Sequence, residues 1–403
     1  MNIALCYESV LPQRGGCEHY ISALANRLVS DGHAVHLYAS RWDSQALSER
    51  IHFHRIPTIT GPRFLRPWRF GYAVEQAIAR AKHDLSIGFD KTWGQDILYP
   101  QGGLHIASAE HNILKHSSRL GRISARIVKK LDFAHHSFLR LERKQYLAER
   151  RPVIVVNSRM VQRHFEKYYD IPAEEIVLLP SAINTHRLLS PDRFKIRAEL
   201  HEKLGIQADE PVGLFVATNY RLKGLAPLIR TIAHLDPAEK LKVLVVGNSK
   251  TKRYELLAKK WKVENRIHFA GFQSSPQAYF FSADFLLHPT FYDPCSLVVL
   301  EAISCGLPIL TTQYNGAGEL LQLPGDQANL KRGADSNSAA GMVIQDPHNH
   351  LEFAQAIRQF INPQTRSIFA RNLKSLNSRY TFENHYQQLL SLFLQVANQR
   401  RVA

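Results

Sequence analysis

A chain of 403 residues that is 45% hydrophobic and 10% aromatic has the apolar content for two or three cores, which excludes a disordered polymer. Its formal charge of +16 predicts an anionic partner (nucleic acid, an acidic membrane face or a phosphorylated substrate), and composition alone does not choose among them. The four cysteines form no CxxC pair and, even with 20 histidines, offer no zinc spacing; they read as reduced thiols of a cytosolic protein.

The first segment, MNIALCYESVLPQRGG, has no basic lead-in, and Glu8 interrupts its apolar run. It therefore reads as a first strand and not as a signal peptide. Residues 2–7 suit a buried parallel strand, the loop behind them holds Gly15-Gly16, and helical spacing over 18–30 runs to the stop at Asp31-Gly32. With a second strand at Ala34–Ala39 this makes a βαβ unit. From Asn112 to Arg151, eleven Lys and Arg face three acidic residues, and apolar residues interleave at near-helical spacing. That pattern predicts one or two basic amphipathic helices. The stretch RFLRPWRF, Arg63–Phe70, adds Trp68 and more basic charge.

A strand at Ile176–Leu179 leads into a linker through Pro180–Asn184. Beyond it the alternation is plainer. Strands fit Val212–Ala217, Leu241–Val246, Ile267–Ala270, Phe285–His288 and Ile309–Thr312; helices fit Leu225–Leu235, Tyr254–Trp261, Pro276–Ser282 and Ser296–Ser304. Two doubly wound α/β sheets would fill the chain. The expected divisions are 1–183, 184–378 and a terminal helix over 379–403. No run approaches the roughly 18–20 apolar residues that cross a bilayer, so membrane contact is expected to be peripheral.

The chemistry concentrates in FLLHPTFYDPCSLVVLEAISCGLPILTTQYNGAG, Phe285–Gly318. A helix opens near Cys295, Ser296 and Leu297, and helix N-termini present bare N–H groups to phosphate. Asp293 stands just outside that helix and Glu301 about one and a half turns inside it. Two carboxylates flanking a phosphate-binding turn suit a nucleotide-sugar, with Asp293 free for sugar hydroxyls and Glu301 for a ribose. Spacing alone equally fits an ordinary capped helix.

The carboxylate-x7-Glu spacing from Asp293 to Glu301 resembles the Glu-x7-Glu signature of family-4 retaining glycosyltransferases. The words SADFLLHPT, VVLEAISCGLPILTT and VVNSRMV…YYDIPAEEIVLLPSAIN match as well, and the resemblance covers nearly the whole chain. It implies the GT-B fold: two Rossmann-like domains facing across a cleft, N-terminal for the acceptor and C-terminal for the donor, with the C-terminal helix returning to the N-terminal domain. It gives Glu301 the donor ribose, and Ser296 and Leu297 the pyrophosphate through backbone N–H groups. Gly15 and Gly16 would allow close backbone approach to the same donor. Asp293 takes the place of the first Glu with one methylene less. Lys223 falls on a family lysine that stabilises the leaving diphosphate; Leu222 replaces an arginine that often precedes it, and Arg221 lies one residue earlier.

On the acceptor side, GFDKTWGQDILYPQGGLHIASAE (Gly88–Glu110) resembles the lipopolysaccharide-core glucosyltransferase branch. Several of its members carry Asp where this chain has Gly102; His105 follows and is the candidate for contacting the sugar, with Asp90 and Asp96 as alternates. The implied activity is retaining transfer of a hexose from a nucleotide-sugar, UDP-linked in the first instance, to a membrane-associated glycan such as lipopolysaccharide core. Neither a metal nor another cofactor is expected. The protein would sit at the inner face of the cytoplasmic membrane through its basic helices, with no nucleic-acid partner. A nucleic-acid-binding protein is the rival reading of the charge, and it leaves the Asp293–Glu301 segment without a job. A sugar-nucleotide epimerase or a phosphorylase of the same architecture is the other.

Overall fold

A computed structural model describes residues 1–57, 61–62, 64–185, 188–321, 339–377 and 380–402. Contacts between Cα atoms divide the chain into two units, Met1–Ser181 with Glu383–Ala403, and Ala182–Phe382. Each unit is built on a wholly parallel sheet among its described residues.

In the first unit the seven-stranded sheet runs, in spatial order, His52–Arg55, Ala34–Ala39, Asn2–Cys6, Leu85–Phe89, Ile97–Tyr99, Val153–Val156 and Ile176–Leu178. The chain winds to one side of Asn2–Cys6 first and then to the other. The strand order therefore reverses between Asn2–Cys6 and Leu85–Phe89, where doubly wound sheets hold their ligands beyond the strand C-termini. The second unit repeats the plan with six strands: Ile267–Gly271, Lys242–Val246, Val212–Val216, Phe285–His288, Ile309–Thr312 and Gly341–Ile344. Its reversal lies between Val212–Val216 and Phe285–His288.

Strand alternation explains the cores. Phe215, Val243 and Val245 pack to one face of the second sheet with Leu228, Ile229 and Ile232 of helix Leu225–Ile232. Leu214, Leu244 and Leu286 pack to the other with Val299 and Ile303 of helix Leu297–Cys305. Both faces are covered, which is why these strands read as continuous apolar runs.

Helix Phe382–Val402 belongs to the first unit, apart from its first residue. His385 anchors it: Nε2 lies 2.7 Å from the Tyr20 hydroxyl and Nδ1 2.8 Å from the Pro180 carbonyl oxygen. Arg27 pairs with Glu383 on the same face.

The basic stretch forms helices Arg119–Lys130 and Phe133–Tyr146, and the two differ. The second buries Phe138, Leu141 and Tyr146; the first buries no residue. Ser118 caps that first helix through the Gly121 N–H, and Leu120, Ile123, Ile127 and Val128 all stand in solvent beside its basic residues. Trp68 does not join them. It donates to Ser137 Oγ at 2.9 Å and packs against Trp93, so its ring is held inside the unit; Arg63 lies outside the described residues.

Four histidines crowd one end of the first sheet. His36 stacks on His52 and His54, with ring centroids 4.6 and 5.1 Å away, and His83 meets it at 4.8 Å. Burial lowers the His36 pKa to about 4, helped by His83, His52 and His54; His54 and His83 are also lowered, first by burial. Folding thus keeps these rings neutral, whereas the unfolded chain takes up their protons near the ordinary value of 6.5. Stability is intact above that value and is lost as pH falls from about 6.5 toward 4. Thermal melts across this window should show the loss, and His36→Gln should flatten it; an unchanged slope would contradict the coupling.

Candidate active site

In the second unit the reversal point gathers the residues that the motif singled out. Strand Val212–Val216 is followed by a turn in which the Lys223 N–H bonds the Asn219 carbonyl at 3.0 Å. Gly224 closes the turn at φ 81°, and a Cβ there would lie 2.0 Å from the Pro289 carbonyl oxygen. Only glycine permits this approach. The Phe291 N–H then bonds the Leu222 carbonyl at 2.9 Å, tying the turn to the loop behind strand Phe285–His288.

That junction brings Lys223 Nζ to 2.6 Å from Asp293 Oδ2 and 3.1 Å from the Tyr292 carbonyl. Both side chains are largely buried, 19% and 14% exposed. Burial alone would raise the Asp293 carboxyl; Lys223 and His288 overcome it and hold the acid well below the usual carboxylate range. Asp293 is therefore not the unpaired carboxylate that its place outside the helix suggested: its Oδ2 is already held by Lys223 and His288. A diphosphate arriving here would compete with Asp293 for the same ammonium.

His288 is a site residue that spacing did not reveal. It ends strand Phe285–His288 and is 1% exposed, with Nε2 3.3 Å from Asp293 Oδ2 and 3.4 Å from Ser296 Oγ. Burial lowers its pKa against the opposing hydrogen bond to Asp293, and Lys223 adds to the lowering, so the ring is neutral. Its sequence signal was an ionisable residue inside a run, FLLHPT, that otherwise reads as buried strand. Asn315 was missed too. Its Nδ2 donates to Thr311 Oγ1 at 3.0 Å and its Oδ1 faces the N–H groups of Ser296 and Ala317, at 3.4 and 3.1 Å.

The helix starts at Leu297, later than expected, with Ser296 as its uncapped N-cap. Ser296 is 4% exposed and its N–H turns to Asn315, so it is less suited to pyrophosphate than its place in the motif implied. Leu297, the first helical residue, keeps an N–H that has no helical acceptor. Glu301 lies further along this helix, partly exposed, and its charge joins burial in pushing the Cys305 thiol up to about 12. Arg221 is exposed, and its charge acts on Tyr254 of helix Lys252–Lys260. Among the described residues, no group of three or more His, Cys, Asp or Glu side chains is placed to hold a metal ion.

In the first unit, Gly15 is the N-cap of helix Gly16–Ser30, with extended backbone at φ 179°. A Cβ on Gly15 would meet only the end of the flexible Glu18 side chain, so neither strain nor a rigid neighbour demands glycine there. His105 heads helix His105–Leu114, but its ring turns to its own unit: Nε2 is 3.0 Å from His135 Nδ1, and Phe138 meets it edge-on. Burial, followed by nearby cations, lowers its pKa to about 3. Asp96 ties Ser86, through N–H and Oγ, to Arg400 and is a structural residue of the sheet. Asp90 directly follows strand Leu85–Phe89 and accepts the Gly102 N–H at 2.9 Å.

A model described as "Glycosyltransferase Family 4" matches residues 14–187, and one described as "Glycosyl transferases group 1" matches 196–375. The chain belongs to these glycosyltransferases. It is 24% identical over 377 residues to the lipopolysaccharide glucosyltransferase WaaG of Escherichia coli, covering 93% of each chain. The crystal structure of WaaG superposes with a TM-score of 0.76 at 22% identity, covering 97% of this chain and 99% of that one. A second solved structure, Anabaena HepE in complex with UDP and glucose, reaches 0.67 at 18% identity, covering 98% and 100%. These likenesses establish the GT-B architecture. In this glycosyltransferase the group 1 domain carries Lys223, Asp293 and Glu301, and the family 4 domain carries Gly15, Asp90 and His105.

Proposed function

We propose that this glycosyltransferase moves a hexose from a nucleotide-sugar, UDP-linked in the first instance, to a hydroxyl of a membrane-associated glycan such as lipopolysaccharide core, with retention and without a metal ion. The observation that carries the donor half is the Lys223–Asp293 pair beside the open N-terminus of helix Leu297–Cys305, with Glu301 further along the same helix. The ammonium and the N–H of Leu297 supply positive charge where a leaving diphosphate becomes more anionic, which lowers the barrier to its departure. Glu301 is offered to the ribose, and Asp293, once Lys223 turns to phosphate, to the sugar.

The acceptor rests on the likeness to WaaG, which is named as a lipopolysaccharide glucosyltransferase, and retention on the resemblance of the Asp293–Glu301 segment to family-4 retaining glycosyltransferases; HepE in complex with UDP and glucose supports the donor class. No helix among the described residues is long and apolar enough to cross a membrane. Attachment at the inner face of the cytoplasmic membrane is assigned to the exposed basic helix Arg119–Lys130.

A panel of UDP-, GDP- and ADP-sugars read by thermal shift tests the donor half. A ligand at 100 times its Kd raises stability by about 2.7 kcal/mol, so one family of nucleotides should stand out. Lys223→Met should lose most of that shift. No shift with any nucleotide-sugar would reject the donor reading, and tight salt-sensitive binding of RNA or DNA in its place would favour the nucleic-acid alternative.

A further inference from the structure

We propose that Asp90 is the acceptor-binding carboxylate of this enzyme and holds a sugar hydroxyl, an assignment that rests on the glycosyl-transfer reading. Asp90 is the first residue beyond strand Leu85–Phe89, at the reversal point of the first sheet, and thus where a ligand of that sheet belongs. Lys223 and Asp293 flank the equivalent reversal in the second sheet.

Three observations single it out. The first is its backbone, which adopts φ 52°, a left-handed conformation that is unfavourable for a residue with a side chain. Gln145, 2% exposed, clamps this conformation by donating Nε2 to the carbonyls of Asp90 and Thr92. The conformation is therefore held by a buried side chain.

The second is a cavity of about 210 Å³ lined by Asp90, Gly102, Gly103, His105, Ser108 and Glu142, among others. Its other carboxylate is spent. Glu142 is 5% exposed and accepts the His105 and Ile106 N–H groups and the Tyr169 hydroxyl. The His105 ring commits its Nε2 to His135. Asp90 receives one strong bond from the Gly102 N–H, a hydrogen bond from the Tyr7 hydroxyl, and a long contact from Cys17 Sγ at 3.8 Å. A carboxylate has about four lone-pair sites, so Asp90 retains room for an incoming hydroxyl.

The third is Gly102, whose Cβ position lies 3.4 Å from Asp90 Oδ1. A side chain growing from that position would start in contact with the carboxylate, and glycine leaves it open to the surface. Burial also pushes the Asp90 carboxyl up, against the Gly102 N–H and Lys91, which suits a group that shares a proton with a hydroxyl.

The test uses the full chain, the UDP-sugar that binds best in the donor panel, and lipopolysaccharide core oligosaccharide as acceptor. Asp90→Asn keeps the shape and loses the charge. Transfer to the oligosaccharide should fall about 10–100-fold, mostly in KM for the acceptor, whereas the donor thermal shift and the slow hydrolysis of donor by water stay at wild-type levels. Gly102→Leu, which keeps the Asp90 residue but covers its carboxylate from an exposed position, should show the same selective loss. Wild-type transfer in both variants overturns the assignment. So does a parallel loss of donor shift, hydrolysis and transfer, the mark of a merely structural residue. A wild-type protein that binds no nucleotide-sugar overturns the glycosyl-transfer reading itself, and this assignment with it.

Discussion

Asp293→Ala is expected to abolish transfer and to destabilise the second unit by about 3–5 kcal/mol, a larger loss than a surface carboxylate would cause. Lys223 and Asp293 are 19% and 14% exposed and 2.6 Å apart, with His288 packed against the same oxygen. Removing the acid leaves an ammonium in a desolvated pocket that, among the described residues, bonds the Tyr292 carbonyl. The neutral imidazole of His288 cannot replace the lost charge. Lys223→Met in the same chain should restore most of the stability, because no uncompensated charge then remains, but it should not restore transfer. Urea denaturation of the single and double variants, together with donor-dependent activity, separates the two effects. Equal stability of Asp293→Ala and the wild type would mean that the pair contributes nothing to the fold.

Removing basic charge from helix Arg119–Lys130 should cost about two orders of magnitude in binding to anionic vesicles. Arg119, Arg126 and Lys130 are exposed, and each cation near an acidic surface contributes about 1 kcal/mol. Replacing all three with Gln therefore removes about 3 kcal/mol, or roughly 150-fold in Kd. Leu120 is 80% exposed, Ile127 56% and Val128 65%, so a water-filled surface is a poor setting for this helix and a lipid interface a better one. Sedimentation with phosphatidylglycerol vesicles, against phosphatidylcholine as control, reads the effect. Because the helix buries no residue of its own, the triple variant should melt like the wild type. Unchanged sedimentation would remove the membrane from the proposal and leave the donor site standing.

Much of the architecture was legible because it is written in short-range patterns. Buried parallel strands are apolar on both faces, helices repeat their apolar residues at every third or fourth position, and Gly or Pro marks the joints. Phe285–His288 and Ile309–Thr312 coincide with their expected bounds for this reason, and the helix Gly16–Ser30 was displaced only at its start. The carboxylate-x7-Glu spacing is likewise a local property, since one helix carries Glu301 and the loop just before it carries Asp293.

The partners of those residues were not legible. Lys223 and Asp293 are 70 positions apart, and their contact depends on which strands lie side by side at the reversal and on Gly224 letting one loop touch the other. Spacing along the chain carries no record of that approach. The same limit made His105 look available, since nothing near it in sequence announces His135 or Phe138. It also left Asp90 only an alternate, because its standing depends on Gln145, 55 positions away, and on the empty side-chain position at Gly102. By itself the sequence determined the class of fold and the presence of a carboxylate pair spaced for a nucleotide-sugar. Only the tertiary structure decided which charges are already paired and which remain open to a ligand, because pairing is set by long-range packing and desolvation.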